Sequence, residues 1–115
     1  MNNRMKIIKV IGWGDVPDDY TGIVEIENQE TAWLKDGFEH REDGPAIIYH
    51  NGPQQWWLDG KYIWSRVRTL DLTNKIILSK SQHSLYPTVQ IWKILDKNGL
   101  YEQILIPGME EVIIG

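Results

Sequence analysis

The sequence of 115 residues contains no cysteine, which excludes disulfides and thiolate metal sites. It also lacks an apolar run near the roughly 20 residues that a membrane-spanning helix needs. The N-terminal segment 1–11 is interrupted by Lys6 and Lys9 and has no small-residue cleavage site, so it does not fit a signal peptide. There is no low-complexity tract or flexible linker. These absences predict one cytoplasmic domain with no membrane span.

Positive charge is also scarce, because the formal net charge is −4. Residues 1–57 hold five Lys or Arg against ten Asp or Glu, whereas residues 58–115 hold seven against six. Phosphate contacts need cations, so the acidic first half argues against a long nucleic-acid partner. A modest basic stretch follows and is interpreted either as a solvated face or as a phosphate contact: Lys61, Arg66, Arg68, Lys75 and Lys80.

A repeated segment is the main positive signal in the chain. Residues 33–37 (Trp-Leu-Lys-Asp-Gly) return as residues 56–60 (Trp-Trp-Leu-Asp-Gly) at a spacing of 23 residues. An aromatic residue followed by a turn glycine, recurring at a fixed spacing, is typical of stacked β-hairpins. Asp-Gly between apolar runs is a strong hairpin signal because both positions tolerate positive φ.

Alternating and β-branched segments predict a mainly β fold, an antiparallel meander of hairpins packed with a C-terminal hairpin. The repeat half spans residues 1–67, and its predicted strands cover 5–11, 20–27, 31–35, 46–49, 55–58 and 61–67. The C-terminal region spans 68–115, with strands at 88–95 and 100–106 joined by a four-residue loop, and an edge strand within 110–114. Residues 71–80 fit one short helix or a strand equally well.

The residues from Gly37 to Ala46 (Gly-Phe-Glu-His-Arg-Glu-Asp-Gly-Pro-Ala), with Trp33 before them and residues 56–60 after them, resemble MORN-like repeats of uncharacterised phage and bacterial proteins. The similarity covers roughly residues 20–64. It implies a non-catalytic array that contacts proteins or phospholipids. The second copy departs from the pattern, because Ile63-Trp64 stands where the first copy has His40-Arg41.

One cluster could carry chemistry, namely His40 and Arg41 among the acids Glu39, Glu42 and Asp43. A base, a cation and carboxylates this close could bind phosphate or run acid–base steps. The structural alternative is that the pair packs on a tryptophan while Asp43 caps the Gly-Pro turn. His40 and His50 lack a third strong ligand, so no metal site and no cofactor are predicted.

An aromatic ladder is the second candidate site: Trp33, Tyr49, Trp56, Trp57, Tyr62 and Trp64. Successive side chains of a strand point to opposite faces, so Trp56 and Trp57 cannot both lie in the core of a one-sided sheet. Packing against the C-terminal half accounts for such a ladder, and so does an aromatic strip that recognises a partner.

These observations support two hypotheses. The first is a non-enzymatic protein-binding module, an inhibitor, antitoxin-like or scaffold protein of phage or mobile-element type. The second is a protein that sequesters a nucleotide or phosphate. The candidate binding residues are His40, Arg41, Trp56, Trp57, Trp64, Arg66 and Arg68. A hydrolase using His40 with a neighbouring acid is the weakest alternative, and an edge-to-edge homodimer is compatible with either hypothesis.

Overall fold

A computed structural model describes residues 6–65, 70–71, 74–109 and 113–114, and this part of the chain is mainly β, as predicted. It includes a 3₁₀ turn at Trp13–Asp15. The strands are β1 Ile7–Val10, β2 Gly22–Ile26, β3 Glu30–Lys35, β4 Phe38–Glu39, β5 Ile47–Tyr49, β6 Gln54–Leu58, β7 Lys61–Ser65, β8 Leu70–Asp71, β9 Ile76–Gln82, β10 Gln90–Asp96, β11 Gly99–Leu105 and β12 Ile113–Ile114. The ambiguous segment 71–80 therefore contributes most of β9, a strand, and no helix among its described residues.

The larger sheet has the strand order β1-β2-β3-β5-β6-β7, with β4 beside β3. Its neighbours are antiparallel from β2 onward, which confirms the meander. The first strand differs, because β1 pairs with β2 in parallel from Ile7↔Ile23 to Val10↔Ile26. Residues 11–21 carry the chain back before β2 begins, and parallel neighbours need such a crossover. The sheet is therefore mixed, with β1 as a parallel member beside the antiparallel meander.

Both Asp-Gly turns of the repeat have the predicted geometry. The φ angles are 51° and 85° at Asp36 and Gly37, and 50° and 77° at Asp59 and Gly60. Two positive φ angles in succession match the type I′ hairpin turn. Asn51-Gly52, which as an Asn-Gly pair would also suit a type I′ turn, differs because only Gly52 has positive φ there.

The loops of two hairpins differ in length. The backbone N–H of Tyr49 donates to the carbonyl of Pro53, so the chain between β5 and β6 is a wider loop than a two-residue turn. The loop of the C-terminal hairpin is shorter than the predicted four residues, because Asp96 and Gly99 still pair and leave a two-residue loop. Side-chain capping favours this tighter loop, since the backbone N–H of Asn98 donates to Asp96 Oδ1.

Equivalent residues of the two repeat copies point to the same face of the larger sheet. The two copies nevertheless bury opposite faces of that sheet. Ala32 pairs with Ile47 and Ile47 pairs with Gln55, so an offset of 23 residues preserves the face. Strand β3 buries Ala32 and Leu34, whereas β6 buries Trp56 and Leu58 on the other face. The protein core thus crosses from one side of the sheet to the other between β3 and β6.

Each side of the sheet has its own cluster of buried residues. On the β2–β3 side the buried members are Tyr20, Val24, Ile26 and Leu34. On the β6 side they are Trp56, Leu58, Tyr86, Val89, Ile106 and Met109. This second cluster joins the repeat half to the C-terminal region, which the sequence predicted to pack together.

The C-terminal region forms a smaller antiparallel sheet in the order β11-β10-β9. A β-bulge at Leu78 interrupts the β9–β10 ladder, because Lys93 pairs with Ser79 while Ile94 pairs with Ile77. Its buried residues are Trp92, Ile94 and Leu105. Strands β8 and β12 pair in parallel, so the predicted edge strand includes β12, and residues 110–112 lie outside the described part.

Among the described residues, no helix has the length and apolar character that crossing a bilayer requires.

The different burial of the two repeat tryptophans predicts different costs of truncation. Trp56 is 1% exposed, and its Nε1 donates to the Pro107 carbonyl at 3.0 Å. Trp56→Ala should lower the free energy of unfolding by about 3–5 kcal/mol. Trp33→Ala, at a half-buried position, should cost about 1–2 kcal/mol through the loss of partial burial and of its contact with Arg41. Urea unfolding monitored by circular dichroism would measure both. Equal losses would contradict the crossing of the core.

Candidate functional site

His40 follows β4 and is held by hydrogen bonds at both ring nitrogens. Its Nδ1 accepts the backbone N–H of Asp59 at 2.9 Å, so the proton of the neutral ring lies on Nε2. Nε2 then donates to Glu42 Oε2 at 3.0 Å. The ring is 6% exposed. Because both nitrogens are occupied and the ring is buried, neither nitrogen is open to a substrate.

The turn held by His40 is also tied to the C-terminal region. The Tyr86 hydroxyl lies 2.7 and 2.8 Å from the two carboxylate oxygens of Asp59 and donates to that carboxylate. The rings of Tyr86 and His40 meet edge to face, with 5.1 Å between their centroids. Lys35 Nζ lies 4.0 Å from Asp59 Oδ1. The cluster connects three segments: the loop of residues 40–46 between β4 and β5, which we call the first repeat loop, the β6–β7 turn, and segment 83–89.

This environment raises the pKa of the Tyr86 phenol above its ordinary value. The main cause is the hydrogen bond to the Asp59 carboxylate, which favours the protonated phenol, and burial adds to the effect. Burial also raises the pKa of Tyr20, and burial together with the negative charges of Glu30 and Glu39 raises that of Tyr49.

Arg41 folds back onto its own loop. Its Nε donates to Asp43 Oδ1 at 2.9 Å, and its Nη1 donates to the Pro45 carbonyl at 3.1 Å. The guanidinium group lies 3.9 Å from the centroid of the Trp33 ring. A Cβ atom built on Gly44 would approach the guanidinium carbon to 2.9 Å, so glycine leaves room for Arg41. The side chains of the His-Arg-Glu-Asp-Gly-Pro segment thus stabilise the conformation of their own loop.

A surface depression of about 360 Å³ lies beside this loop. Its lining includes the His40-Arg41 pair and two acids: Trp33, His40, Arg41, Glu42, Asp43 and Thr88. Because His40 pairs with Glu42 and Arg41 with Asp43, an entering anion would have to displace a carboxylate. The described residues include no group of three or more acids or histidines placed to hold a metal ion, and His50 lines a different depression, with Lys9 and Glu27.

The aromatic ladder is divided between core and surface. Trp56 is fully buried, whereas Trp57 on the opposite face of β6 is half-buried and meets the exposed Tyr62 ring at 5.6 Å. Trp57 Nε1 donates to Gln55 Oε1 at 3.0 Å. The backbone of Trp64 pairs with that of Trp56, but its side chain and both Arg66 and Arg68 lie outside the described part. Of the predicted site residues, the structure brings His40 and Arg41 together at one loop.

Sequence reasoning missed an apolar surface on the smaller sheet. Ile76 pairs with Leu95 and Leu95 with Leu100, so the three side chains form a row across β9, β10 and β11. They are 59%, 37% and 59% exposed, respectively. We call them the apolar row. Ile76-Ile77-Leu78 was its signal in the sequence, but only the register of three strands brings Leu95 and Leu100 beside it.

The hydrogen bond from Tyr86 to Asp59 gives a testable dependence of stability on pH. The folded protein retains the phenolic proton above pH 10, where the unfolded chain begins to lose it. The folded state therefore binds more protons in that range, and stability falls as pH rises above 10. Tyr86→Phe should cost about 1 kcal/mol at pH 7, because Asp59 is half exposed and regains water. It should also reduce the alkaline loss of stability.

Urea unfolding at pH 7 and at steps between pH 9 and 11.5 would measure both effects. Tyr62→Phe, at an exposed tyrosine, is the matched control and should keep the alkaline slope of the parent protein. A Tyr86→Phe protein with the same slope as the parent would refute the assignment.

Comparison with protein-family models, with curated proteins and with solved structures found no match to this chain in any of the three. The resemblance of residues 20–64 to MORN-like repeats, and the phage or bacterial origin that it implies, therefore stay predictions.

Proposed function

We propose that this protein is a non-enzymatic protein-binding module, of the inhibitor, antitoxin-like or scaffold kind that the repeat segment suggests. The observation that carries the proposal is the apolar row of Ile76, Leu95 and Leu100. The three large aliphatic side chains are neighbours across three adjacent strands and form a continuous exposed patch. Exposed apolar patches of this kind mark interaction sites. A rigid sheet presents them at little entropic cost on binding.

Polar groups border the apolar row in the manner of an interface rim. Lys93 and Glu102 are opposite each other on the next row of the same face, and both are exposed. Interfaces that form and dissociate commonly surround an apolar centre with such charges. The composition of this face therefore favours a protein partner over a small polar ligand.

The hydrogen bonds of the His40 ring support the non-enzymatic part of the proposal. A general base needs an open nitrogen within reach of the proton that it abstracts. Both nitrogens of His40 are engaged, one by a backbone N–H and the other by Glu42. Its interactions are those of a brace between the first repeat loop and the β6–β7 turn.

A photo-crosslinking amino acid at position 100 would test the binding function. In a lysate of the source cells we expect it to capture a defined protein, since Leu100 lies in the apolar row. The same amino acid at position 61, an exposed lysine on β7 of the larger sheet, is the control and should not capture that protein. Leu95→Lys should reduce the yield at position 100 several-fold by placing a charge in the row. Equal yields from positions 100 and 61 would contradict the proposal.

The second candidate function is the sequestration of a nucleotide or phosphate. One observation favours it: Arg41 lies stacked on Trp33 at the rim of a 360 Å³ depression that His40 also lines. The paired carboxylates oppose it, because Glu42 is already hydrogen-bonded to His40 and Asp43 already neutralises Arg41.

Thermal unfolding with nucleotides or inorganic phosphate at about 1 mM would separate the two functions. A bound ligand raises the unfolding temperature by mass action. We expect no rise, because the binding groups are internally paired. A rise that Arg41→Gln abolishes would instead establish the second function.

A further inference from the structure

We propose that the outer edge of β9 accepts an extended, acid-containing segment of a partner protein as an added strand of the smaller sheet. This inference rests on the proposed protein-binding function and names the surface and the chemistry of the partner segment.

Strand β9 is an edge strand with little cover. In the order β11-β10-β9 it pairs with β10 on one side, and no other described strand pairs with it. All seven of its residues are exposed. An edge strand presents unpaired N–H and C=O groups that can continue the hydrogen-bonding ladder into another chain.

The lysines that commonly protect such an edge are turned away here. Lys80 Nζ lies 4.1 Å from the centroid of the Trp92 ring, on the neighbouring strand β10. Lys75 Nζ donates to the Tyr101 hydroxyl, two strands away. Both ammonium groups thus lie over the face of the sheet rather than along its outer edge. The edge keeps one protective feature, the bulge at Leu78.

The bulge divides β9 into two parts with different roles. Residues 79–82 pair with β10 in regular register and offer the regular ladder that an added strand needs. Ile76 and Leu78 are exposed beside this part and extend the apolar row to the sheet edge. An added segment would therefore pair its backbone with residues 79–82 and contact the isoleucine end through apolar side chains.

Charge indicates which segment fits. Residues 74–95 contain three lysines, Lys75, Lys80 and Lys93, and no acidic residue. Within the described part of the chain, Lys80 has a ring contact with Trp92 but no carboxylate partner. A glutamate or aspartate opposite Lys80 on an added strand would lie about 5 Å from it between Cβ atoms, and the long lysine side chain could turn from Trp92 to meet the carboxylate. The fitting segment alternates apolar residues with acids.

A second copy of β9 fits this edge less well. Antiparallel self-pairing about Ser79 would set the apolar residues 76–78 against the polar residues 80–82 of the other copy. It would also add a second Lys80 without adding an acid. Moving the two-fold axis toward Ile76 would remove residues 79–82 from the pairing. The charge and polarity of β9 therefore favour a foreign segment.

A designed peptide can test strand addition directly on the full chain. The probe is a heptapeptide that alternates valine with glutamate, and its matched control alternates valine with lysine. Nuclear magnetic resonance titration of the ¹⁵N-labelled protein should show shifts concentrated in residues 76–82. The glutamate peptide should bind about fivefold more tightly than the lysine peptide, as expected of an exposed charge contact. Methylation of alternate peptide nitrogens should abolish binding, because it removes backbone donors.

Lys80→Glu should reverse the preference between the two peptides, and Lys80→Gln should remove it. Lys61→Glu, on the larger sheet, makes the same change of charge and should leave the preference intact. The unfolding midpoint of each variant would verify that it folds, and the glutamine variant tests the same contact should the glutamate variant not fold.

Equal binding of the methylated peptide, shifts centred on another strand, or an unchanged preference in both Lys80 variants would overturn strand addition. Dimerisation of the protein through β9, measured by sedimentation, would also overturn it. A protein captured at position 100 whose binding is unaffected by the Lys80 variants would refute the β9 inference while the binding function stands. Absence of any such capture would refute the binding function itself.

Discussion

Burial of the Trp56 indole is the interaction on which the rest of this structure depends. The larger sheet extends to β7, but its own hairpins leave one face of β6 without cover. Residues of the C-terminal region supply that cover, and the indole N–H finds its acceptor in the Pro107 carbonyl. A buried indole needs both apolar contacts and a hydrogen-bond acceptor. The repeat half and the C-terminal region consequently share one buried cluster.

The polar cluster around His40 reinforces the same junction from its rim. His40 holds the backbone of Asp59, and the Asp59 carboxylate receives the Tyr86 hydroxyl. The β6–β7 turn is thus hydrogen-bonded both to the repeat half, through His40, and to the C-terminal region, through Tyr86. This explains why the most chemically suggestive residues of the sequence are occupied internally. The apolar row, by contrast, stays exposed on the smaller sheet.

Local signals in the sequence predicted the local features of the fold well. The Asp-Gly pairs specify type I′ turns because few other residues adopt positive φ there, and alternation along β6 predicted that Trp56 and Trp57 face opposite ways. Features that depend on distant segments were not predictable. Nothing in residues 7–10 indicates a parallel neighbour, and three apolar residues at 76–78 fit either a helix or a strand.

The candidate site was likewise predictable only in its local part. The sequence identified His40 and Arg41 as a cluster, but the choice between ligand contact and loop bracing depends on Asp59 and Tyr86, which lie 19 and 46 residues away from His40. Likewise, the apolar row exists only because three strands align one side chain from each. Such surfaces are properties of register, which short sequence windows do not determine.

The crossing of the core between β3 and β6 limits how this chain could have grown. In a solenoid, identical units stack with the same side inward, so duplicating a unit lengthens the array without altering it. Here Leu34 faces one hydrophobic layer and Leu58 faces another. An inserted third unit of 23 residues would need to be apolar on one side at one neighbour and on the other side at the next. Adding such a unit would therefore disturb one of the two hydrophobic layers, whereas a longer surface loop would leave both intact.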